Sequence, residues 1–123
     1  MIRVYVAGAL SGKELDYLEN CRLMMEMGYK LFRSGLYAPF VPAFDMHFAL
    51  MKRIGDLPIA VKEYYDYSMA WLEASQALLV LPNWENSKGT ILEIARAKEL
   101  NIPVFYSYED MDEYFEHRLP ECR

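Results

Sequence analysis

Cysteine is scarce in this 123-residue chain, with Cys21 and Cys122 the only two. Two thiols so far apart cannot form a disulfide framework and lack the spacing of a metal site. A reduced, cytoplasmic setting is therefore expected, with no cofactor and no metal implied. Basic charge is also short: 13 Lys and Arg stand against 18 Asp and Glu, a net charge of −5. A surface for polymeric nucleic acid or a membrane needs a basic patch, and this balance argues against both. No apolar run approaches the ~20 residues of a membrane span, and the first residues lack the charged-then-apolar order of a signal segment. Internal repeats, low-complexity tracts and linkers are missing as well.

What is present is material for a core. Hydrophobic residues make up 54% and aromatics 15%, ample for one domain over residues 1–123. The most informative stretch covers residues 77–104. Its run Leu78-Leu79-Val80-Leu81 has no alternation and closes at Pro82, the pattern of a strand buried on both faces, as a parallel sheet requires. Asn86 and Ser87 are N-cap types, and residues 91–100 favour helix until Asn101 and Pro103 stop it. Strand, loop, helix and strand form a βαβ unit whose loop lies at the carboxyl end of a sheet, where open α/β folds bind ligands.

One acid in that helix stands out. At about 100° per residue, Thr90, Glu93, Ile94, Ala97 and Leu100 share one arc, while Lys88, Arg96, Lys98 and Glu99 fall off it. A first-turn carboxylate facing the sheet is either held by the helix amides and dipole or kept for chemistry. Ser87 with the amides of Gly89 and Thr90 would make an anion cradle at the same helix start.

Residues 2–7 form a β-rich run, the expected central strand, and the turn Gly8-Ala9-Leu10-Ser11-Gly12 follows it. Two glycines allow close backbone approach, so this turn can wrap a ligand with its amides and the Ser11 hydroxyl. It fits neither the dinucleotide nor the P-loop spacing. Residues 14–34 read as a long helix with Leu18, Cys21, Met25, Leu31 and Phe32 at helical spacing and Gly35 as its stop. The cluster Met24, Met25 and Met27 is core filler. Residues 36–41 are a second strand, broken by Pro39 and so an edge. Residues 42–58 are the least legible, with a short helix through Phe48 and a turn at Gly55 to Pro58. Residues 59–75 make a second long helix whose Tyr64, Tyr65, Ser68, Trp71, Leu72 and Ser75 share a face; its tyrosines suit core or interface packing better than a stacking platform. Residues 103–106 give a last strand, and residues 109–117 an acidic terminal helix or tail. Ile91, Leu92 and Ala95, apolar but off the sheet-facing arc, fit either a subunit interface or cover by that tail.

Two motifs carry a resemblance. Val4-Tyr5-Val6-Ala7-Gly8-Ala9-Leu10-Ser11-Gly12 and Trp84-Glu85-Asn86-Ser87-Lys88-Gly89 followed by Glu93 resemble the nucleoside 2-deoxyribosyltransferase superfamily. The likeness is nearest to its small bacterial and phage branch, and the superfamily also holds 2′-deoxynucleoside 5′-monophosphate N-glycosidases. It implies Glu93 as nucleophile, with Tyr5, Gly8, Leu10, Ser11, Gly12, Trp84, Ser87, Lys88 and Gly89 around the sugar and phosphate. It also implies that the loop after the second strand closes over the base, which makes Phe44, Asp45, His47 and Phe48 candidates for stacking or hydrogen bonding; His47 fits a surface histidine better. Ala9 departs from the superfamily's usual proline. The larger departure is Ser68, which stands where an aspartate accompanies the catalytic glutamate. Asp66, Asp45 or Asp56 would have to supply the second carboxylate, since an oxocarbenium-like transition state needs one acid at the sugar and a second for the leaving base.

The expected fold is a three-layer doubly wound, flavodoxin- or Rossmann-like sheet of four or five parallel strands in the order 2-1-3-4, a single deoxyribosyltransferase-like domain. The expected function is cleavage or transfer of a nucleoside or nucleotide N-glycosidic bond, leaning to the monophosphate because Ser87 resembles the monophosphate-cleaving members. Catalysis would rest on Glu93 with Asp66 or Asp45, and Ser68 would join the substrate contacts. The expected partner is a small nucleoside or nucleotide within a homo-oligomer, dimeric or higher. A non-catalytic nucleotide-binding or sensing module on the same scaffold is the reading from a different class, and a purely structural oligomer a third.

Overall fold

The computed structural model describes residues 1–10, 14–82 and 84–116, without the side chains of Glu14, Met46 and His47. Four parallel strands, β1 (Ile2–Ala7), β2 (Tyr37–Phe40), β3 (Ala77–Val80) and β4 (Val104–Phe105), form one sheet in the order β2-β1-β3-β4. Val4 pairs with Pro39 on one side of β1 and with Ala77 on the other. Pro39 has no N–H to give, and β2 is accordingly an edge.

Strand alternation divides the core in two. Ile2, Val4 and Val6 of β1 and Ala77 and Leu79 of β3 face one side. There they meet α1 (Glu14–Ser34) and α5 (Tyr108–Glu116), through Met24, Leu31, Met111 and Phe115. Tyr5, Ala7, Leu78 and Val80 face the other side. There they meet α3 (Val61–Glu73) and α4 (Lys88–Glu99), through Leu72, Ile94 and Ala97. Both faces of β3 are covered, which is why its sequence shows no polar alternation.

The chain winds from β1 through α1 to β2, then crosses by α3 to β3 on the far side of β1. The winding reverses at that point, so the carboxyl ends of β1 and β3 open a crevice between the loops that follow them. A 3₁₀ turn (Pro42–Met46) and the short α2 (His47–Leu50) follow β2, and a second 3₁₀ turn (Trp84–Asn86) follows β3.

Helix ends follow local chemistry. Gly35 closes α1 with φ +74° and Asn101 follows α4 with φ 59°, left-handed positions that glycine and asparagine tolerate. The helix expected over residues 59–75 is shorter, because the Glu63 carboxylate accepts the Ala60 N–H at 2.7 Å and so fixes the start at Val61.

The face of α1 departs from expectation. Cys21, Met24 and Leu31 are buried, whereas Leu18, Met25 and Phe32, expected in the core, are exposed. The helix carries two apolar arcs, and Gly28 decides which one meets the sheet. A Cβ there would lie 2.5 Å from Val41 Cγ2, so the missing side chain lets α1 approach. Gly28→Ala is expected to destabilise the domain by about 1–3 kcal/mol through overpacking, although alanine favours helix by ~1 kcal/mol. Chemical denaturation checks this, and Gly28→Ala combined with Val41→Ala should lose less than the sum of the two single changes.

Candidate active site

The crevice holds a cleft of about 280 Å³ with the Glu93 side chain in its wall. Gly8 and Leu10 come from the loop after β1, Pro42 from the turn after β2, Tyr64, Tyr65 and Ser68 from α3, and Ser87, Gly89 and Thr90 from the start of α4. A second, largely apolar compartment of about 620 Å³ adjoins it across the shared residues Leu10, Pro42, Val61, Tyr64 and Ser68, and adds Tyr17 and Asp45. The two form one bipartite cleft on the scale of a small-molecule site, ~300–1,000 Å³. The smaller half carries the more polar groups, Glu93, Ser87 and Thr90, and lies over a helix start; the other is suited to a flat apolar group.

Tyr5 positions the carboxylate. It projects from the central strand toward α4 and is almost fully buried, and its hydroxyl hydrogen-bonds Glu93. The same hydroxyl contacts the Ser68 hydroxyl, and Ser68 Oγ donates to Asp45 Oδ2 at 3.1 Å. Asp45 is itself buried. The structure thus joins two carboxylates by an unbroken row of side chains, Glu93, Tyr5, Ser68 and Asp45. Ser68, the position the resemblance gives to an aspartate, is bridged to one instead.

The α4 start differs from a free anion cradle. Ser87 Oγ caps the helix, accepting from the Thr90 N–H at 3.2 Å and from Thr90 Oγ1 at 2.9 Å. The Thr90 amide is therefore occupied, and the Gly89 amide remains beside the hydroxyl of Ser87. A Cβ at Gly89 would meet nothing within 4 Å, so that position opens onto the cleft.

Other candidates lie elsewhere. Asp66 is exposed on α3 and pairs with Lys62, so it does not reach Glu93. Asp56 accepts the Arg53 N–H at 2.7 Å in its own turn. Trp84 packs on Tyr106 with ring centroids 5.5 Å apart, and neither it nor Phe44 or the exposed Lys88 is among the cleft-lining residues described. Ser11 and Gly12 lie outside the described residues, as does the side chain of His47. Tyr64, Tyr65, Pro42, Val61 and Tyr17 line the cleft without having been singled out for it in the sequence. The one sequence signal was the α3 face that grouped Tyr64 and Tyr65 with Ser68.

A family model described as a domain of unknown function, DUF4406, matches residues 2–106. The chain belongs to the DUF4406 family. No curated protein matches it in sequence. Among solved structures, it is similar to a 2-deoxyribosyltransferase from Bacillus psychrosaccharolyticus with a TM-score of 0.57 and 12% identity, covering 83% of this chain and 69% of that one. The DUF4406 domain therefore shares the fold of that transferase. No helix of the described residues is long and apolar enough to cross a membrane.

Burial sets the charge state of this DUF4406 site. Loss of hydration pushes the Glu93 carboxyl up to about 7, against a smaller downward pull from the Tyr5 hydrogen bond. The residue is half-buried and forms part of the cleft wall. Burial likewise raises Asp45, and the Ser68 hydrogen bond partly offsets that. Burial also raises the Tyr5 phenol, helped by the neighbouring Glu93 charge, so Tyr5 stays a hydrogen-bond donor.

A carboxyl whose folded value lies above its unfolded one favours the fold only while protonated. Its contribution is complete below the unfolded value of 4.5 and is lost as pH rises through about 7. Glu93→Gln removes that loss, so the variant should melt above wild type at pH 8 by an amount worth up to on the order of 3 kcal/mol. The advantage should shrink toward pH 4. A melting-temperature difference that stays flat over this range would show that Glu93 is not desolvated.

Proposed function

We propose that this DUF4406 domain cleaves or transfers the N-glycosidic bond of a 2′-deoxynucleoside or its 5′-monophosphate, with Glu93 as nucleophile. The observation that carries this reading is the buried Glu93 carboxylate, held by Tyr5 at the mouth of the β1–β3 crevice and linked through Ser68 to Asp45. The fold shared with a 2-deoxyribosyltransferase supports it.

In this mechanism the base occupies the apolar compartment beside Asp45 and Tyr64, and the sugar lies over Glu93. The Glu93 carboxylate bonds to the anomeric carbon as the C–N bond breaks. The departing base takes the bonding pair and a proton from Asp45. Water, or a second base, then attacks the anomeric carbon of the glycosyl ester, gives up its proton to the Asp45 carboxylate left by the first step, and displaces Glu93 as a free carboxylate. The Ser87 hydroxyl and the Gly89 amide at the α4 start meet the sugar or its 5′-phosphate, aided by the helix dipole.

The row of hydroxyls lets one proton serve both carboxylates. With the proton on Glu93, each hydroxyl donates toward Asp45; when every link shifts by one proton, Asp45 holds it and Glu93 is ionised. The second arrangement pairs an acid beside the base with a nucleophile beneath the sugar, and the two groups titrate as a unit.

Incubation with a panel of deoxynucleosides and their monophosphates, with free base measured by chromatography, is expected to show base release that Glu93→Gln abolishes. Asp45→Asn should lower the rate by ~10²–10⁴-fold, the usual worth of general acid help. The pH profiles should differ in sign. Wild-type kcat/KM should fall above about 7, as the shared proton leaves and the acid is lost. The residual activity of Asp45→Asn should instead rise through the same region, as Glu93 alone ionises. The reading from the other class, a nucleotide-binding module, draws on Ser68 standing in place of a direct carboxylate. It would be supported by thermal stabilisation with a nucleotide and no base release from any substrate.

A further inference from the structure

The larger compartment of the cleft is roomier than a bare base needs. Its volume of about 620 Å³ lies within the ~300–1,000 Å³ of sites that enclose drug-sized molecules, whereas a nucleobase is a single flat ring system. One corner is polar: Asp45 and Ser68 line the wall there, and Ser68 Oγ donates to Asp45 Oδ2. Leu10, Pro42, Ala43, Ala49, Leu50 and Val61 make up most of the remainder. Tyr17, in the same wall, is hydrogen-bonded to Cys21. Leu50 and Val61 are 79% and 84% exposed although they border the compartment, so a bare base held at the Asp45 corner leaves apolar surface in water. Apolar atoms extending from the base would cover that surface.

Within the N-glycosidic reading above, on which this assignment rests, we propose that the base taken here is an adenine whose exocyclic nitrogen carries an apolar substituent, alkyl or arylmethyl. The ring follows from where the acid stands. The hydroxyls of Tyr5 and Ser68 separate Asp45 from Glu93, so the proton reaches the base at a point set back from the glycosidic carbon. N7 of a purine lies across the five-membered ring from that carbon, whereas O2 of a pyrimidine is pressed against it. The edge follows from the carboxyl. As it protonates N7 it presents an O–H beside a C=O, and adenine offers N7 beside an N6–H donor; guanine and hypoxanthine instead set O6 against the C=O. A single substituent on N6 keeps one N–H on the N7 side and sends the apolar group past the six-membered ring into the rest of the compartment. When the C–N bond breaks, the bonding pair stays on N9 and the Asp45 proton goes to N7, so the base leaves neutral.

Free bases test the compartment without turnover, and nucleosides test it with turnover. In titration calorimetry of the full chain, N6-benzyladenine should bind at least about tenfold more tightly than adenine. Among the 2′-deoxynucleosides and their monophosphates, kcat/KM for base release should favour the N6-benzyl substrate over the unsubstituted adenine one by a similar factor, and adenine over hypoxanthine and thymine. Ala49→Trp, at an exposed position of the compartment wall, should bring the benzyl-to-unsubstituted ratio toward one, with an unchanged melting temperature as the check on folding. The proposal is overturned if N6-benzyladenine binds no better than adenine, if the hypoxanthine or thymine substrate is the fastest, or if Ala49→Trp leaves the ratio as it was. Base release from no substrate overturns the proposed activity instead, and the calorimetric ranking then decides the occupant of the compartment by itself.

Discussion

A buried carboxylate held by one phenol is the constraint on which the rest of the site turns. Glu93 loses most of its water to the protein around it, and Tyr5 returns a single hydrogen bond. That arrangement is costly for an ionised group and is kept only where the scaffold enforces it. Enforcement comes from both ends. Tyr5 sits on β1, paired on both sides, and Glu93 sits one turn into a helix whose start is locked by the Ser87 cap. Neither group can withdraw without unpairing the sheet or fraying the helix.

The same topology explains the shape of the cleft. Parallel strands with helices on both faces leave open only the ends of the strands, and the reversal of winding between β1 and β3 holds the loops apart there. The smaller, more polar compartment forms over the α4 start because helix amides and a capping hydroxyl converge on that spot. The apolar compartment forms where the turn after β2 and the face of α3 lean over the loop after β1. A ligand with a flat apolar end and a polar or anionic end suits this division.

The order of elements, the edge position of the second strand, the central first strand and the order 2-1-3-4 were legible in the sequence, because each rests on a short-range signal. An unbroken apolar run marks a doubly covered strand, Pro39 marks an edge, and Gly35 marks a helix end. The prominence of Glu93 was legible for the same reason, since an acid on a sheet-facing arc is a local contradiction, although it lies one turn into α4 and not in the first turn. Less legible was the face of α1. Two apolar arcs on one helix look alike to periodicity, and only the contact between Gly28 and Val41 distinguishes them.

By itself, then, the sequence determined which segments become strands and helices, how they are ordered, and which acid faces the sheet, since these follow from patterns within a few residues. Tertiary structure alone decided the partner of Ser68. Asp45 and Ser68 belong to different elements, and no spacing rule connects them; they meet because the turn after β2 folds against α3, and Tyr5 of the central strand then links Ser68 to Glu93. Tertiary structure also decided that Asp66, one turn along the same helix from Lys62, pairs outward, since its direction is set by which side of α3 packs on the sheet.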